Sequence, residues 1–252
     1  MGLSSDLLDH IVVYIIVGFF AQLVDGAFGM AYGIVALAFL LGTGVSPAAA
    51  TVGARTAEIF TSAVSGLSHL RFRNVDNKLF RDLLVPGVVG GVLGAYILTA
   101  VPGSVLKPLV AIYLLVVGLV IVRKALTGVR EAKVRTRVLF IAVIGGFFDA
   151  VGGGGWGPIV TSTLVARGHS PRLAVGSVNL AEFFVTFCEA AIFLATIRLV
   201  HWKIIVGLMI GGILAAPLAA YTCKRLSSRT LKILIGILTI ALSVTTIFQI
   251  LS

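Results

Sequence analysis

Long apolar runs separated by short polar connectors make up most of the chain. A helix that crosses a bilayer needs about 20 apolar residues. Five of the runs reach that length, at 48–70, 83–100, 173–197, 204–222 and 231–251, and five shorter ones lie at 11–24, 27–41, 107–122, 138–149 and 156–166. The pattern therefore predicts an all-α polytopic membrane protein with roughly 8–10 membrane segments.

The runs beside Asp25 and Asp149 are too short to be full spans, and a glycine-rich stretch interrupts each pair. The interruptions read Asp25-Gly-Ala-Phe-Gly29 and Asp149-Ala-Val-Gly-Gly-Gly-Gly-Trp-Gly157. Non-helical backbone at membrane depth is tolerated only where it is buried in protein or lines a watery cavity. We therefore predict a broken or re-entrant helix at each aspartate.

The two interrupted pairs are copies of one another. Residues 25–58 align without a gap on 149–182, and ten of the 34 positions are identical, including both aspartates and the Ser-Pro and Ala-Glu pairs that follow. This is an internal repeat. It predicts a first membrane repeat at 1–126, a basic cytoplasmic connector at 127–137 and a second membrane repeat at 138–252.

The number of crossings per repeat indicates how the copies are related. Each repeat crosses the membrane an odd number of times, whether it has five spans or three spans and one hairpin. The second copy is therefore expected to be inverted relative to the first. Inverted repeats with interrupted helices are the sequence pattern of secondary transporters, whose site lies at the repeat interface near the bilayer midplane. The two breaks are expected to enter from opposite faces and meet there.

The net charge of +10 reflects orientation in the membrane, because Lys and Arg are concentrated in the connectors 71–81, 123–137 and 224–232. Such clusters mark cytoplasmic loops. They predict a multi-pass protein of the cell (inner) membrane with both termini outside, although Arg198 and Lys203 then fall on the outer side. A separate basic face with interleaved aromatics is lacking, which argues against nucleic-acid binding.

Composition excludes several other classes. With 58% hydrophobic residues and a mean hydropathy of +1.09, the chain leaves no room for a separate soluble domain. Cys188 and Cys223 have no paired or metal-like spacing, and the four histidines are scattered at segment ends. We therefore predict no metal, no cofactor and no enzymatic activity.

Five of the ten acidic residues lie inside apolar runs, namely Asp25, Glu58, Asp149, Glu182 and Glu189. A charge at the bilayer centre costs at least about 2.5–3.5 kcal/mol, so such residues normally face a cavity or a partner and indicate function. For the aspartates there is a structural alternative, in which each carboxylate caps the half-helix that follows it. The two interpretations are compatible.

Arg55 is the only Lys or Arg in the interior of an apolar run, away from its ends, and it stands one helical turn before Glu58. The second copy has Asn179 and Glu182 at these positions. Arg55 either forms an internal ion pair with Glu58 or contacts an anion. The polar stripes of both copies are expected to line a cavity between the halves.

The glycines around the breaks also allow two interpretations. Gly29-x₃-Gly33 and Gly153-x₃-Gly157 match a motif for tight helix packing. Beside a midmembrane aspartate they could instead expose backbone N–H groups and the positive end of a helix dipole, which suit an anion. Tyr32 and Trp156, at equivalent positions, either wall the site or fill space.

Three stretches of the second copy resemble the TauE/SafE sulfite exporter family: Asp149 to Pro158, Arg167-Gly-His-Ser-Pro-Arg172 and Val175 to Phe184. The likeness extends over both halves. It implies a bacterial or archaeal inner-membrane permease that moves small sulfur-containing or organic anions such as sulfite, sulfoacetate, sulfolactate or thiosulfate, with export as the named direction. The first copy departs from the motif, with Phe28, Met30 and Ala31 where the second has glycines.

Together these inferences predict a carrier that transports a small anion by alternating access. Its carboxylates would repel an anion, so we hypothesise that some are protonated during transport and that protons are the coupling ion. An anion channel is the alternative function, and an intramembrane aspartyl hydrolase is a more distant alternative. The sequence leaves open whether the protein forms a homo-oligomer. The predicted substrate-binding residues are Asp25, Gly29, Tyr32, Arg55, Glu58, Asp149, Gly152, Gly153, Gly154, Gly155, Trp156, Asn179 and Glu182.

Overall fold

Ten α-helices and no strand make up the residues that the computed structural model describes, which are 11–97, 103–127, 137–152, 154–196 and 201–251. The all-α prediction is confirmed. In chain order the helices are α1 (Ile11–Phe28), α2 (Tyr32–Gly42), α3 (Pro47–Arg71), α4 (Asn77–Ile97), α5 (Gly103–Thr127), α6 (Val138–Gly152), α7 (Trp156–Ala166), α8 (Pro171–Thr196), α9 (Trp202–Arg225) and α10 (Ser228–Leu251).

Within the described residues, five of these helices are long and apolar enough to cross a membrane, namely α1, α4, α8, α9 and α10. The sequence placed α1 among the short segments, because Asp25 and Gly26 interrupt its apolar run. In the structure α1 continues through both residues and ends at Phe28, which makes it 18 residues long. In contrast, α3 has the predicted length with 25 residues but is too polar to count with these five.

Both predicted interruptions are present, and each lies a few residues after its aspartate. Asp25 lies in the last turn of α1, and the chain leaves the helix at Gly29 and Ala31, whose φ angles are 73° and 95°. Asp149 lies in the last turn of α6, and α7 begins at Trp156. The breaks therefore join a longer helix to an 11-residue half-helix in each copy.

The repeat extends to the backbone of the loops that follow α2 and α7. Gly44 and Gly168, at equivalent positions, have φ angles of 83° and 88°, in the left-handed region that favours glycine. Each ends its helix in the same hydrogen-bonded turn, a common way to satisfy the last carbonyls of a helix. The matching bonds are Val45 N–H to Leu40 O (3.1 Å) and His169 N–H to Leu164 O (3.0 Å).

Helix packing follows the same two-copy pattern. α1 packs along α9, and their equivalents in the other copy, α6 and α4, pack along each other in the same way. α3 packs on its own equivalent, α8, and α5 packs on its own equivalent, α10. Helices α3 and α8 run in opposite directions. Arg55 near the start of α3 lies beside Glu189 late in α8, whereas Ser65 further along α3 contacts Asn179 early in α8. Two inverted copies would produce these directions.

Many large apolar side chains lie on the outside of the described structure, and the interior holds polar side chains beside its apolar core. The exposed side of α4 carries Val85, Val89 and Tyr96, and that of α1 carries Val12 and Phe20. The buried polar side chains include all five acids of the apolar runs and Arg55. The apolar exterior suits contact with lipid, and the polar interior positions the site.

Candidate functional site

The two helix breaks touch each other in the middle of the helix bundle. The hydroxyl of Thr161, on α7, donates a hydrogen bond to the backbone oxygen of Gly29 at 2.8 Å. A Cβ atom added to Gly157 would lie 2.5 Å from the same oxygen and 2.6 Å from Cα of Met30, so only glycine allows this approach. The tight-packing interpretation therefore holds for Gly157.

Each aspartate reaches across its own break to the half-helix that follows. Oδ1 of Asp149 accepts a hydrogen bond from the backbone N–H of Trp156 at 2.9 Å. The carboxyl of Asp25 lies near the backbone N–H of Tyr32, at the equivalent position. Such a carboxylate faces the positive end of the helix dipole, and that of Asp149 also satisfies an otherwise unpaired N–H. Asp149 thus acts as a cap, as the structural alternative proposed for both aspartates.

Arg55 lies at the centre of a buried ionic network that joins the halves. Its Nη1 atom donates to Oε2 of Glu58 and to Oδ2 of Asp149, both at 2.9 Å, and its Nη2 atom donates to the backbone oxygen of Asp149 at 2.6 Å. Oε2 of Glu189 lies 3.8 Å from Nη1. The predicted ion pair with Glu58 is present, and Arg55 also contacts an aspartate from the other copy.

Asn179 makes the corresponding connection in the opposite direction. Its Nδ2 atom lies 3.5 Å from the backbone oxygen of Asp25 and donates to that of Val175 at 3.1 Å. Thus Arg55 and Asn179, at equivalent positions, each reach the backbone oxygen of the aspartate in the other half. The two sides differ in charge, because Asn179 supplies no cation.

The site contains more acid than base. Five carboxyl groups are buried together, and Arg55 is the one Lys or Arg side chain buried within the described ranges. Several buried polar atoms here have no hydrogen-bond partner among the described residues: Oδ1 of Asp25, Oε2 of Glu182, both carboxylate oxygens of Glu189 and the hydroxyl of Tyr32. Buried polar groups are normally paired, so unpaired ones gathered in one place suggest that polar species bind there.

Comparison with known proteins identifies the family. The sequence model of the family described as sulfite exporter TauE/SafE matches residues 14–246. The chain belongs to the TauE/SafE family. It is accordingly a multi-pass membrane transporter and not an enzyme, as the sequence predicted.

Two relatives illustrate the similarity. The chain is 38% identical over 236 residues to the probable membrane transporter protein YtnM of Bacillus subtilis (strain 168), covering 90% of this chain and 79% of that protein. It is 26% identical over 254 aligned positions to the probable membrane transporter protein ORF9 of a Sinorhizobium species, covering 95% and 94%. No solved structure matches the chain.

The motif that carries the TauE/SafE resemblance places its glycines at the second break. Gly152 is the last residue of α6, Gly154 and Gly155 lie between α6 and α7, and Gly153 falls outside the described residues. A Cβ atom on Gly155 would lie 2.6 Å from the backbone of Phe148, and one on Gly154 would lie 2.7 Å from the side chain of Ile34. These glycines allow the break to pack closely against both halves.

The aromatic side chains after the breaks are both buried, with Trp156 0% and Tyr32 1% exposed. The indole N–H of Trp156 donates to the backbone oxygen of Val178 at 3.3 Å. A Cβ atom on Gly87 of α4 would lie 2.5 Å from this ring. Trp156 therefore fills the space between α4 and α8, which supports the packing interpretation for this residue.

Sequence reasoning missed two participants and placed a third only in part. Ser65 bonds to Asn179 and the amide of Gln22 lies near Asp25, whereas Glu189, which faces Arg55, was recognised as a buried acid but not counted among the substrate-binding residues. Helical spacing could have suggested Gln22, because it stands one turn before Asp25. No group of three or more His, Cys, Asp or Glu side chains suited to a metal ion occurs among the described residues.

Proposed function

We propose that the protein is a secondary carrier for small sulfur-containing or organic anions, such as sulfite or organosulfonates, and that it exports them across the cell (inner) membrane. The family supports transport. The observation that supports an anionic substrate is the position of Arg55, whose guanidinium is fully buried at the contact between the two halves. A buried cation at such an interface is expensive and indicates a role in binding.

Alternating access is the mechanism that this packing supports. Both halves contribute to the site, because Arg55 and Glu58 come from one half and Asp149 and Glu189 come from the other. If one half rocks against the other, the contacts at this interface change first. Close packing of the breaks at Gly29 and Gly157 favours a carrier over a channel, which requires a continuous pore.

Proton coupling is the second part of the proposal. If all five buried carboxyls were ionised, Arg55 would leave a surplus of four negative charges in a region of low dielectric constant. Unpaired charges in such a region are strongly disfavoured, so protons or another cation must balance part of the surplus. We infer that protons bind here and that their movement is linked to that of the anion.

The orientation completes the proposal. The antiparallel pairing of α3 with α8 supports inverted copies, and the basic connectors support a cytoplasmic location for the turns after α3 and α9. Both termini would then lie outside the cytoplasm. The basic connector between the halves includes residues outside the described ranges.

A substrate panel tests the proposed function. Purified protein is screened by thermal shift, and reconstituted protein by uptake into vesicles, with sulfite, thiosulfate, short sulfonates and short carboxylates. At least one anion is expected to stabilise the wild type and to be transported in response to a pH gradient. Arg55→Ala should abolish both effects, whereas Arg81→Ala, which removes an exposed arginine, should retain them. Equal transport by Arg55→Ala and the wild type would contradict the proposal.

A further inference from the structure

The geometry points to Asp149 as an internal occupant of the anion site: its carboxylate holds the donors that the transported oxyanion needs, and the anion binds when Asp149 takes up a proton and releases Arg55. This inference rests on the proposed function and names the groups that bind the substrate. The expected ligand is an oxyanion with at least two acceptor oxygens.

Two kinds of anion donor converge on the Asp149 carboxylate. Oδ2 is bound by the guanidinium of Arg55 and Oδ1 by the first backbone N–H of α7, each at 2.9 Å. Guanidinium groups and helix N-termini are the recurring binding groups for sulfate, phosphate and carboxylate. A sulfonate or sulfite presents oxygens of the same charge type, so it would compete directly with this carboxylate.

Three of the five N–H donors of Arg55 are occupied while Asp149 remains in place. Nη1 already serves Glu58 and Asp149, and Nη2 serves the backbone oxygen of Asp149. Two N–H donors remain, the second one of Nη2 and that of Nε, and Nε is buried with no hydrogen-bond partner among the described residues. Releasing the Asp149 side chain would free one N–H of Nη1 as well. The backbone contact at 2.6 Å would keep Arg55 in position.

The first copy lacks the corresponding interaction. Asp25 also faces the first N–H of its half-helix, but the residue opposite it is Asn179, and Oδ1 of Asp25 has no hydrogen-bond partner within the described ranges. Only the second half therefore combines a guanidinium with a helix N-terminus. This asymmetry places the anion at Asp149 rather than at Asp25.

Charge balance supports one proton for each monovalent anion. When an ionised Asp149 becomes neutral and a monovalent anion takes its place, the net charge of the cluster does not change. A carboxyl that gains a proton is also a weaker acceptor for Arg55, because the interaction is no longer between opposite charges. Proton uptake and anion entry would therefore favour each other, which is the reciprocal relation that coupling requires.

The other ionisable groups around Asp149 set the background for this exchange. They are Arg55 and Glu58 from α3, Glu182 and Glu189 from α8 and Asp25 from α1. Helix α4, which packs along α6, approaches Glu189 with Gly91, and α7 contains no ionisable side chain. Of these acids only Glu58 and Asp149 are hydrogen-bonded to Arg55, and Asp149 alone also binds the α7 terminus.

Binding measurements on Asp149→Asn and Asp82→Asn test the inference. Both substitutions replace an aspartate by asparagine, but Asp149 contacts Arg55, whereas Asp82 is an exposed residue of α4 outside the cluster. The probes are thiosulfate and methanesulfonate, which keep their charge between pH 5 and 8. For the wild type we expect the Kd to rise with pH, by up to about tenfold per pH unit if one proton is taken up per anion. Asp149→Asn should bind more tightly than the wild type at pH 8 and lose most of this dependence, whereas Asp82→Asn should keep it.

The outcomes separate the inference from the proposed function. Wild-type protein that binds neither probe at any pH overturns both the inference and the assignment to sulfur oxyanions. Wild-type protein that binds a probe with a Kd independent of pH overturns the inference alone, even if Asp149→Asn does not fold. The same follows if Asp149→Asn binds no more tightly than the wild type, or if Asp82→Asn matches its gain.

Discussion

Ser65 and Glu189 occupy equivalent positions in the two copies. Ser65 lies beside Asn179, which faces Asp25, and Glu189 lies beside Arg55, which faces Asp149. The hydroxyl of Ser65 donates to Oδ1 of Asn179 at 2.7 Å, and Oε2 of Glu189 lies 3.8 Å from Nη1 of Arg55. One geometry therefore holds a neutral pair on one side and an ionic group on the other. The protein combines near-symmetric packing with an asymmetric charge distribution, which gives the two sides different roles.

The hydrogen bond between Ser65 and Asn179 is expected to contribute to stability. Ser65→Ala would leave Oδ1 of Asn179 buried without its donor, which costs about 1–3 kcal/mol in the free energy of unfolding. Ser68→Ala on the same helix is the matched control, because Ser68 donates only to the backbone oxygen of Val64 in its own helix. Thermal unfolding in detergent should show a clearly larger loss for Ser65→Ala, and equal losses would contradict this account.

Arg55 and Asp149 should be energetically coupled. Arg55→Ala leaves Asp149 and Glu58 buried without their cation, and breaking a buried pair in this way costs about 3–5 kcal/mol. Adding Asp149→Asn should recover part of that loss, because it removes one of the unpaired charges. A double-mutant cycle on unfolding measures the coupling. Losses that simply add would show that the two residues do not act as a pair.

The helix bounds were largely predictable from the sequence. The apolar run 156–166 coincides with α7, and the run 173–197 lies within two residues of α8. Membrane helices are marked by long apolar runs and by glycine, proline and serine at their ends, all of which are local signals. The end of α1 was predicted too early because Asp25 interrupts the apolar run. In the structure Asp25 lies within α1, and its carboxyl faces the break that follows the helix.

The partners within the site were only partly predictable. Glu58 was recognisable as a partner of Arg55 because it stands one turn away on the same helix. Asp149 is 94 residues from Arg55 in sequence, and its contact depends on how α3 and α6 are placed in space. Gln22 and Ser65 carry no distinctive local signal, since uncharged polar residues are common in membrane helices.

The close contact between the breaks leads to a prediction about Gly157. An alanine Cβ there would meet the backbone of Gly29 and Met30 at 2.5 and 2.6 Å, so the breaks would have to move apart. We expect Gly157→Ala to lower the melting temperature, with an overpacking cost of about 1–3 kcal/mol, and to reduce transport strongly. Gly42→Ala is the control, since nothing lies within 4 Å of its Cβ position. Transport by Gly157→Ala at the wild-type rate would contradict close contact during the cycle.

The proposed inversion of the copies predicts that equivalent residues lie on opposite sides of the membrane. Thr43 and Arg167 both follow the last residue of a half-helix, α2 and α7. In a background without Cys188 and Cys223, we expect a membrane-impermeant thiol reagent to label Thr43→Cys from outside intact cells. Arg167→Cys should be labelled only after the membrane is opened. Labelling of both from the same side would contradict the inverted relation.

The central claim is that the two helix breaks and Arg55 form one anion site between the halves. A cryo-EM map of the protein with a transported anion bound at low pH tests it most directly. The predicted result is anion density within hydrogen-bonding distance of the Arg55 guanidinium and the backbone N–H of Trp156, with the Asp149 side chain displaced. Density elsewhere in the bundle, with the contact between Arg55 and Asp149 intact, would contradict the claim.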